Sequence, residues 1–191
     1  MSSIEYNALL LKISRKLDEL NIRELVFLCR EKLRDDNQPN IQDVLSLFKE
    51  LEDQNYLGID RLEHLRELLK AVREWALFKQ VKKFETKRRE YNELLDCICE
   101  VLDDSVDLAR LINICRLERE RDIRDVRTLL KELEVQDNLG IGRLDILKEI
   151  LKATEEEGLL QKVEEFEKRR DEEDEFDRIR GKNYITIYSS L

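Results

Sequence analysis

Catalysis, metal binding or phosphate binding in this chain would have to be built from four cysteines, one histidine and five glycines. Cys97 and Cys99 form a C-x-C pair, but a zinc-type site needs a second pair or partnering histidines, and His64 stands alone in the sequence. Cys29 and Cys115 sit inside the apolar runs LVFLCR and LINICR, where a thiol serves as a small core group. Cys97 and Cys99 read as core groups too, with the alternative that, two apart on a helix and facing different ways, one of them is exposed and oxidisable. His64 has no nucleophile beside it and reads as a surface or boundary residue rather than a base. The glycines are isolated, which excludes a phosphate-cradling loop. The sequence therefore predicts no catalytic residue, no metal and no cofactor, and a protein that is not an enzyme.

Composition narrows the class. Of 191 residues, 41% are hydrophobic and 41% charged, with one proline, the balance of a helical protein with solvated charged faces and few or no strands. No apolar run reaches the roughly 20 residues needed to cross a bilayer, and MSSIEYNALLLKI lacks a signal-peptide pattern, so the expected setting is soluble and cytoplasmic, with no membrane partner. The net charge of -9 is uneven: residues 1–89 carry +2 and residues 90–191 carry -11. An acidic half disfavours nucleic acid, and units of opposite sign can attract one another head to tail.

The elements follow from a repeat. Lys49–Glu85 returns 82 positions later as Lys131–Glu167, with 20 of 37 positions identical and no gap. One structural unit is used twice. In the first unit Ile4, Leu9, Leu10, Ile13 and Leu17 predict a helix over 4–16, and Leu25, Leu28 and Cys29 predict one over 21–34. The segment around Pro39 breaks the second helix, and Asn40 is placed to cap a helix over 41–54, with room for a short irregular helix before it. Gly58 is expected to end it at positive φ, Asp60 to cap a helix over 61–73, and Leu77, Val81 and Phe84 to face inward from a helix over 75–89. The second unit restarts at Tyr91-Asn92-x-Leu94-Leu95, matching Tyr6-Asn7-x-Leu9-Leu10, without a Gly, Pro or Ser-rich linker. The expected fold class is all-α: two tandem six-helix antiparallel bundles, packed as a rigid pair.

Glu24-Leu25-Val26-Phe27-Leu28-Cys29, Leu47-Phe48, Arg66-Glu67-Leu68-Leu69 and Val81-x-x-Phe84-Glu85 resemble the death effector domain pattern, and Gly142 to Lys148 is similar to the matching helix of a second such domain in initiator caspases. The resemblance covers about residues 4–170. It implies the death fold, with domains at 1–89 and 90–170 followed by an acidic tail at 171–191, arranged as in initiator-caspase prodomains and FLICE-inhibitory proteins.

By that resemblance, an exposed hydrophobic pair in the second helix docks another domain: Phe27-Leu28 in the first unit, Asn113-Ile114 in the second. In tandem members the first pair packs against the second domain and the second pair faces outward, so Phe27 is expected to be internal glue. Asn in place of Phe removes on the order of 2 kcal/mol of apolar burial from a contact there. The family's R-x-D-L charge motif is replaced by Glu74-Trp75-Ala76-Leu77 and Glu156-Glu157-Gly158-Leu159, and its acidic helix-two partner is Asn21 in one unit and Asp107 in the other, so the charge triad forms in neither.

The tail from 171 on reads as disordered, ending in a β-prone Tyr184–Tyr188, while Asp171-Glu172-Glu173-Asp174 resembles the tetrapeptide cut by executioner caspases. The resemblance implies a non-enzymatic, homotypic interaction protein whose partners are death effector domain proteins, an adaptor and an initiator caspase, with self-association into filaments. It would regulate caspase activation in apoptosis, inhibition being favoured by the weakened outer pair. The alternatives are the prodomain of an initiator caspase and a death-fold scaffold outside apoptosis.

Overall fold

The computed structural model describes residues 4–17, 22–33, 41–117 and 123–188, with the backbone alone for residues 105, 174 and 176–188. Pro39, Asn40 and Asn21, and the short irregular helix expected near them, lie outside the described residues. Nine α-helices are present among those described: α1 Ile4–Leu17, α2 Ile22–Cys29, α3 Val44–Asp53, α4 Glu63–Ala71, α5 Trp75–Ser105, α6 Leu108–Ile114, α7 Val126–Val135, α8 Asp145–Ala153 and α9 Glu157–Tyr188. A 3₁₀ turn, Arg30–Lys32, follows α2. The described residues contain no strand, only two isolated bridges.

The chain divides into two compact units, Met1–Arg89 and Glu90–Leu191. Helix α5 is continuous through residues 89–91, where the sequence suggests one helix ending and another beginning. The run KKFETKRREYNELL supplies good helix formers and no Gly or Pro, so nothing local interrupts the hydrogen-bond ladder.

In the first unit the buried residues of α1, Tyr6, Leu10, Ile13 and Leu17, recur every three or four positions and form one core with Leu47, Phe48 and Leu51 of α3 and Leu65 and Leu69 of α4. Ile4, read as part of that stripe, is instead 54% exposed. Tyr6 fills the place, its ring 6.4 Å from that of Phe84 and its hydroxyl donating to Glu52 Oε1 at 2.8 Å. The second unit repeats the arrangement. Tyr91 is buried, its ring 6.4 Å from Phe166, and Leu129, Leu133, Leu147 and Leu151 are buried as well.

Helix ends show where local signals were overruled. Asp43, not Asn40, caps α3: Ser46 N–H donates to its carboxylate at 2.7 Å, and Asp43 N–H donates back to Ser46 Oγ at 3.2 Å. Asp125 caps α7, its carboxylate accepting from the Thr128 N–H and hydroxyl, both at 2.6 Å. Helix α4 begins at Glu63, so its N-cap is Leu62, with no side-chain cap; Asp60, two residues earlier than the cap position, accepts instead from Arg88 Nε at 2.8 Å. The turn after α3 places positive φ on Asn55 (69°), not on Gly58, and Asp137 (60°) holds the matching place after α7. Asn and Asp tolerate the left-handed region, and Tyr56 and Leu57 N–H then close onto Leu51 C=O. Gly58 and Arg61 exchange two backbone hydrogen bonds, as do Gly140 and Arg143.

Candidate interaction surfaces

Helix α2 is eight residues long, and its core contact is made by Leu25 and Cys29, one turn apart and both buried. Fixing that face turns Phe27 and Leu28 outward: they are 60% and 48% exposed. Leu28, expected inward beside Leu25, thus lies at the exposed edge of that face. The Arg30 guanidinium lies 4.6 Å from the Phe27 ring centroid, a cation–π contact that holds the ring on the surface.

The matching helix of the second unit is α6. Asp107 is its N-cap, accepting from Ala109 N–H at 3.0 Å, so this carboxylate already has a structural task. Leu111 and Cys115 face the core, Asn113 is exposed and Ile114 half-buried. Arg110 donates to the Ala153 carbonyl at 2.7 Å and so ties α6 to the end of α8. The structure thus gives the first unit an open apolar pair and the second a flatter, more polar surface.

The residues singled out for chemistry are placed without convergence. Cys29, Cys99 and Cys115 are buried, and burial pushes each thiol up to about 11. Cys97 is half-buried, with Lys162 Nζ 3.4 Å from its Sγ. His64 lies tilted against Tyr56, ring centroids 5.3 Å apart, and its Nδ1 is 3.6 Å from Glu67. Among the described residues no group of three or more His, Cys, Asp or Glu is arranged to hold a metal ion. No helix among them is long and apolar enough to cross a membrane.

Two features were not singled out from sequence. A cavity of about 350 Å³ is lined by Tyr6, Glu52, Asn55, Gly58, Asp60 and Arg61. Burial and the hydrogen bond to Glu52 raise the Tyr6 phenol above the usual tyrosine range, so it stays a donor. Trp75, at the position of the missing charge motif, is 52% exposed and meets Phe78 edge-on at 6.0 Å. Its departure from the family pattern was the available signal.

The open pair on α2 lies within a stretch that matches a family model. Residues 6–87 match the death effector domain family. A death effector domain is a protein-interaction module, and this match lies within the first unit. Caspase-8 of Rattus norvegicus is 27% identical to the chain over 158 residues, covering 79% of this chain and 31% of the relative. The chain thus spans about a third of the length of that curated relative.

Proposed function

We propose that this chain is a non-enzymatic, homotypic interaction protein: its death effector domain at 1–89, and a second one at 90–170 related to it by the internal repeat, bind the death effector domains of an adaptor and an initiator caspase. In doing so it regulates assembly of a caspase-activating complex in apoptosis, as an inhibitor or modulator, in the cytoplasm and by joining or ending filaments.

The observation that carries this reading is the exposed Phe27-Leu28 pair on α2, within the part of the chain that matches the family. A soluble protein leaves two adjacent large apolar side chains this open where a partner covers them. Phe27, Leu28, Asn113 and Ile114 are the proposed contacts, with Asp107 shaping the α6 surface through its cap. The polar Asn113 makes the second unit the poorer donor of a contact, which favours a chain that joins an assembly and slows its growth.

The test is co-sedimentation and electron microscopy with a filament-forming death-effector adaptor, comparing wild type, Phe27→Asp and Ile114→Asp, each checked for folding by circular dichroism. Wild type is expected to join and shorten the filaments, and the variants to lose this. A wild-type chain that neither joins nor alters them removes the proposal. The 31% coverage of the caspase-8 relative favours a second reading, a prodomain of a longer protease that promotes assembly. Filaments that lengthen and protease sequence downstream in the transcript would select it.

A further inference from the structure

Helix α5 carries a surface that the docking pair on α2 does not use. Trp75, Lys79, Lys82, Thr86 and Arg89 follow one another at intervals of four, three, four and three residues, so they share one helix face. Trp75, Lys79, Lys82 and Arg89 are exposed and Thr86 is half-buried. No acidic residue lies within the stripe. Glu85 is turned aside toward Arg66 and Glu74 precedes the helix. The face is therefore a cationic stripe over some 14 residues, about 21 Å, with an exposed indole at one end.

The chain also contains a matching anionic face. On α9, Glu164, Glu165, Glu172 and Glu175 are exposed and share one side of the helix, with Lys168 the single cation among them. Glu172 and Glu175 are spaced three apart, as Lys79 and Lys82 are. The two surfaces lie in different units, one of charge +2 and the other -11. An anionic lipid or nucleic acid would also suit a cationic stripe, but neither is present in the sequence, whereas every copy of the chain brings its own acidic helix face.

We infer that the Trp75–Lys79–Lys82 stripe of α5 docks the Glu172–Glu175 face of α9 in a second copy of this chain, a head-to-tail contact separate from the α2 pair. Trp75 supplies the apolar anchor and the lysines select the acidic partner. A heterologous contact of this kind leaves an unused stripe at one end and an unused acidic face at the other, so it adds copies in series.

The experiment is sedimentation velocity on the full chain at about 20 mM and about 500 mM salt, across which the Debye length shrinks severalfold. Wild type is expected to self-associate at low salt and to weaken at high salt. Lys79→Glu with Lys82→Glu is expected to weaken association by about tenfold or more, as is Glu172→Lys with Glu175→Lys. Mixing the two double variants is expected to restore association, the two alternating in series at equal stoichiometry, which an unfolded protein could not do. The effect of Phe27→Asp is read separately, by co-sedimentation with the adaptor filaments, so failure of this inference and failure of the α2 proposal are distinguishable. A wild-type chain that stays monomeric overturns the inference, as does association indifferent to both charge reversals. Loss of binding to phosphatidylserine vesicles in Lys79→Glu with Lys82→Glu, with no effect on self-association, assigns the stripe to a lipid surface and overturns it too.

Discussion

Lys148 Nζ lies 3.0 Å from Glu167 Oε2 and 3.3 Å from Oε1, bracing α8 against α9. The same relationship stands 82 residues earlier, where Arg66 Nε is 3.2 Å from Glu85 Oε1, although there it is a charge contact without hydrogen-bond alignment. The hydrogen bond to Glu167 raises Lys148 above the usual lysine range. Burial holds the Glu85 carboxyl above its usual range against the pull of Arg66. A double-mutant cycle on Lys148 and Glu167 is expected to give a coupling of about 0.5–1 kcal/mol, and one on Arg66 and Glu85 a smaller value. A lysine whose folded pKa is raised contributes fully below its unfolded value and loses the contribution as pH rises through the folded one. Urea titrations of wild type and Lys148→Ala should therefore differ at neutral pH and converge in strong alkali.

The caps of α3 and α7 act at the other end of the pH scale. Hydrogen bonds from the Ser46 backbone and hydroxyl hold Asp43 below the usual carboxylate range, and those from the Thr128 hydroxyl and backbone do the same for Asp125. A depressed carboxyl contributes above its unfolded pKa and loses the contribution as pH falls through the folded one. Asp43→Asn with Asp125→Asn keeps a capping oxygen but removes the titration. Its melting temperature is expected to drop less steeply than that of wild type between about pH 4 and pH 2. Parallel acid profiles would show that neither carboxylate is used in this way.

The turn after α3 separates two residues that look alike on paper. Asn55 has φ of 69°, and its side-chain oxygen accepts from Arg61 Nη2. Asn55→Ala is expected to cost about 1 kcal/mol, from the left-handed strain and the lost acceptor, while Asn55→Gly costs less. At Gly58 a Cβ would meet nothing closer than Arg61 Nε, at 3.8 Å. Gly58→Ala should stay within about 0.5 kcal/mol of wild type by urea denaturation. A large loss at Gly58 would show that this glycine is needed after all.

Those positions mark how far the sequence could be read. Helix type and the repeat were legible because the apolar positions, such as Tyr6, Leu10, Ile13 and Leu17, recur at helical spacing whatever their partners are. Which residue caps a helix was less legible, since it depends on where the first turn closes: Asp60 is a good cap by type, but α4 starts at Glu63 with Leu62 in the cap position, and Asp60 pairs with Arg88, 28 residues away. Periodicity misread the facing of Leu28, which the resemblance had as exposed, because a short helix is oriented by two core residues, Leu25 and Cys29, and a third apolar residue does not change that. The backbone of α9 is helical to Tyr188, over residues whose composition suggested disorder. Glu, Lys and Arg favour helix on their own, and Lys168 and Glu172, four apart, lie 3.9 Å from each other. The run 171–174 is thus held as helix, with Asp171 accepting from Arg170 at 2.8 Å, whereas a protease takes its substrate extended.

Thiol accessibility gives the last prediction. Cys29, Cys99 and Cys115 are buried, with thiols pushed up to about 11 by desolvation, so at neutral pH they are both shielded and protonated. Cys97 is half-buried on the opposite side of α5 from Cys99, and Lys162 donates to its sulfur at 3.4 Å. The native chain in iodoacetamide at about pH 7.5 is expected to take up one equivalent quickly, at Cys97, and the remaining three only in denaturant. Peptide mass mapping identifies the site, and Cys97→Ser should abolish the fast phase while leaving the slow one. Equal rates at Cys97 and Cys99 would mean that α5 opens on the timescale of the reaction. That would contradict the packing of Cys99 and Ile98, both buried in the second unit, and with it the role of α5 as the scaffold of that core.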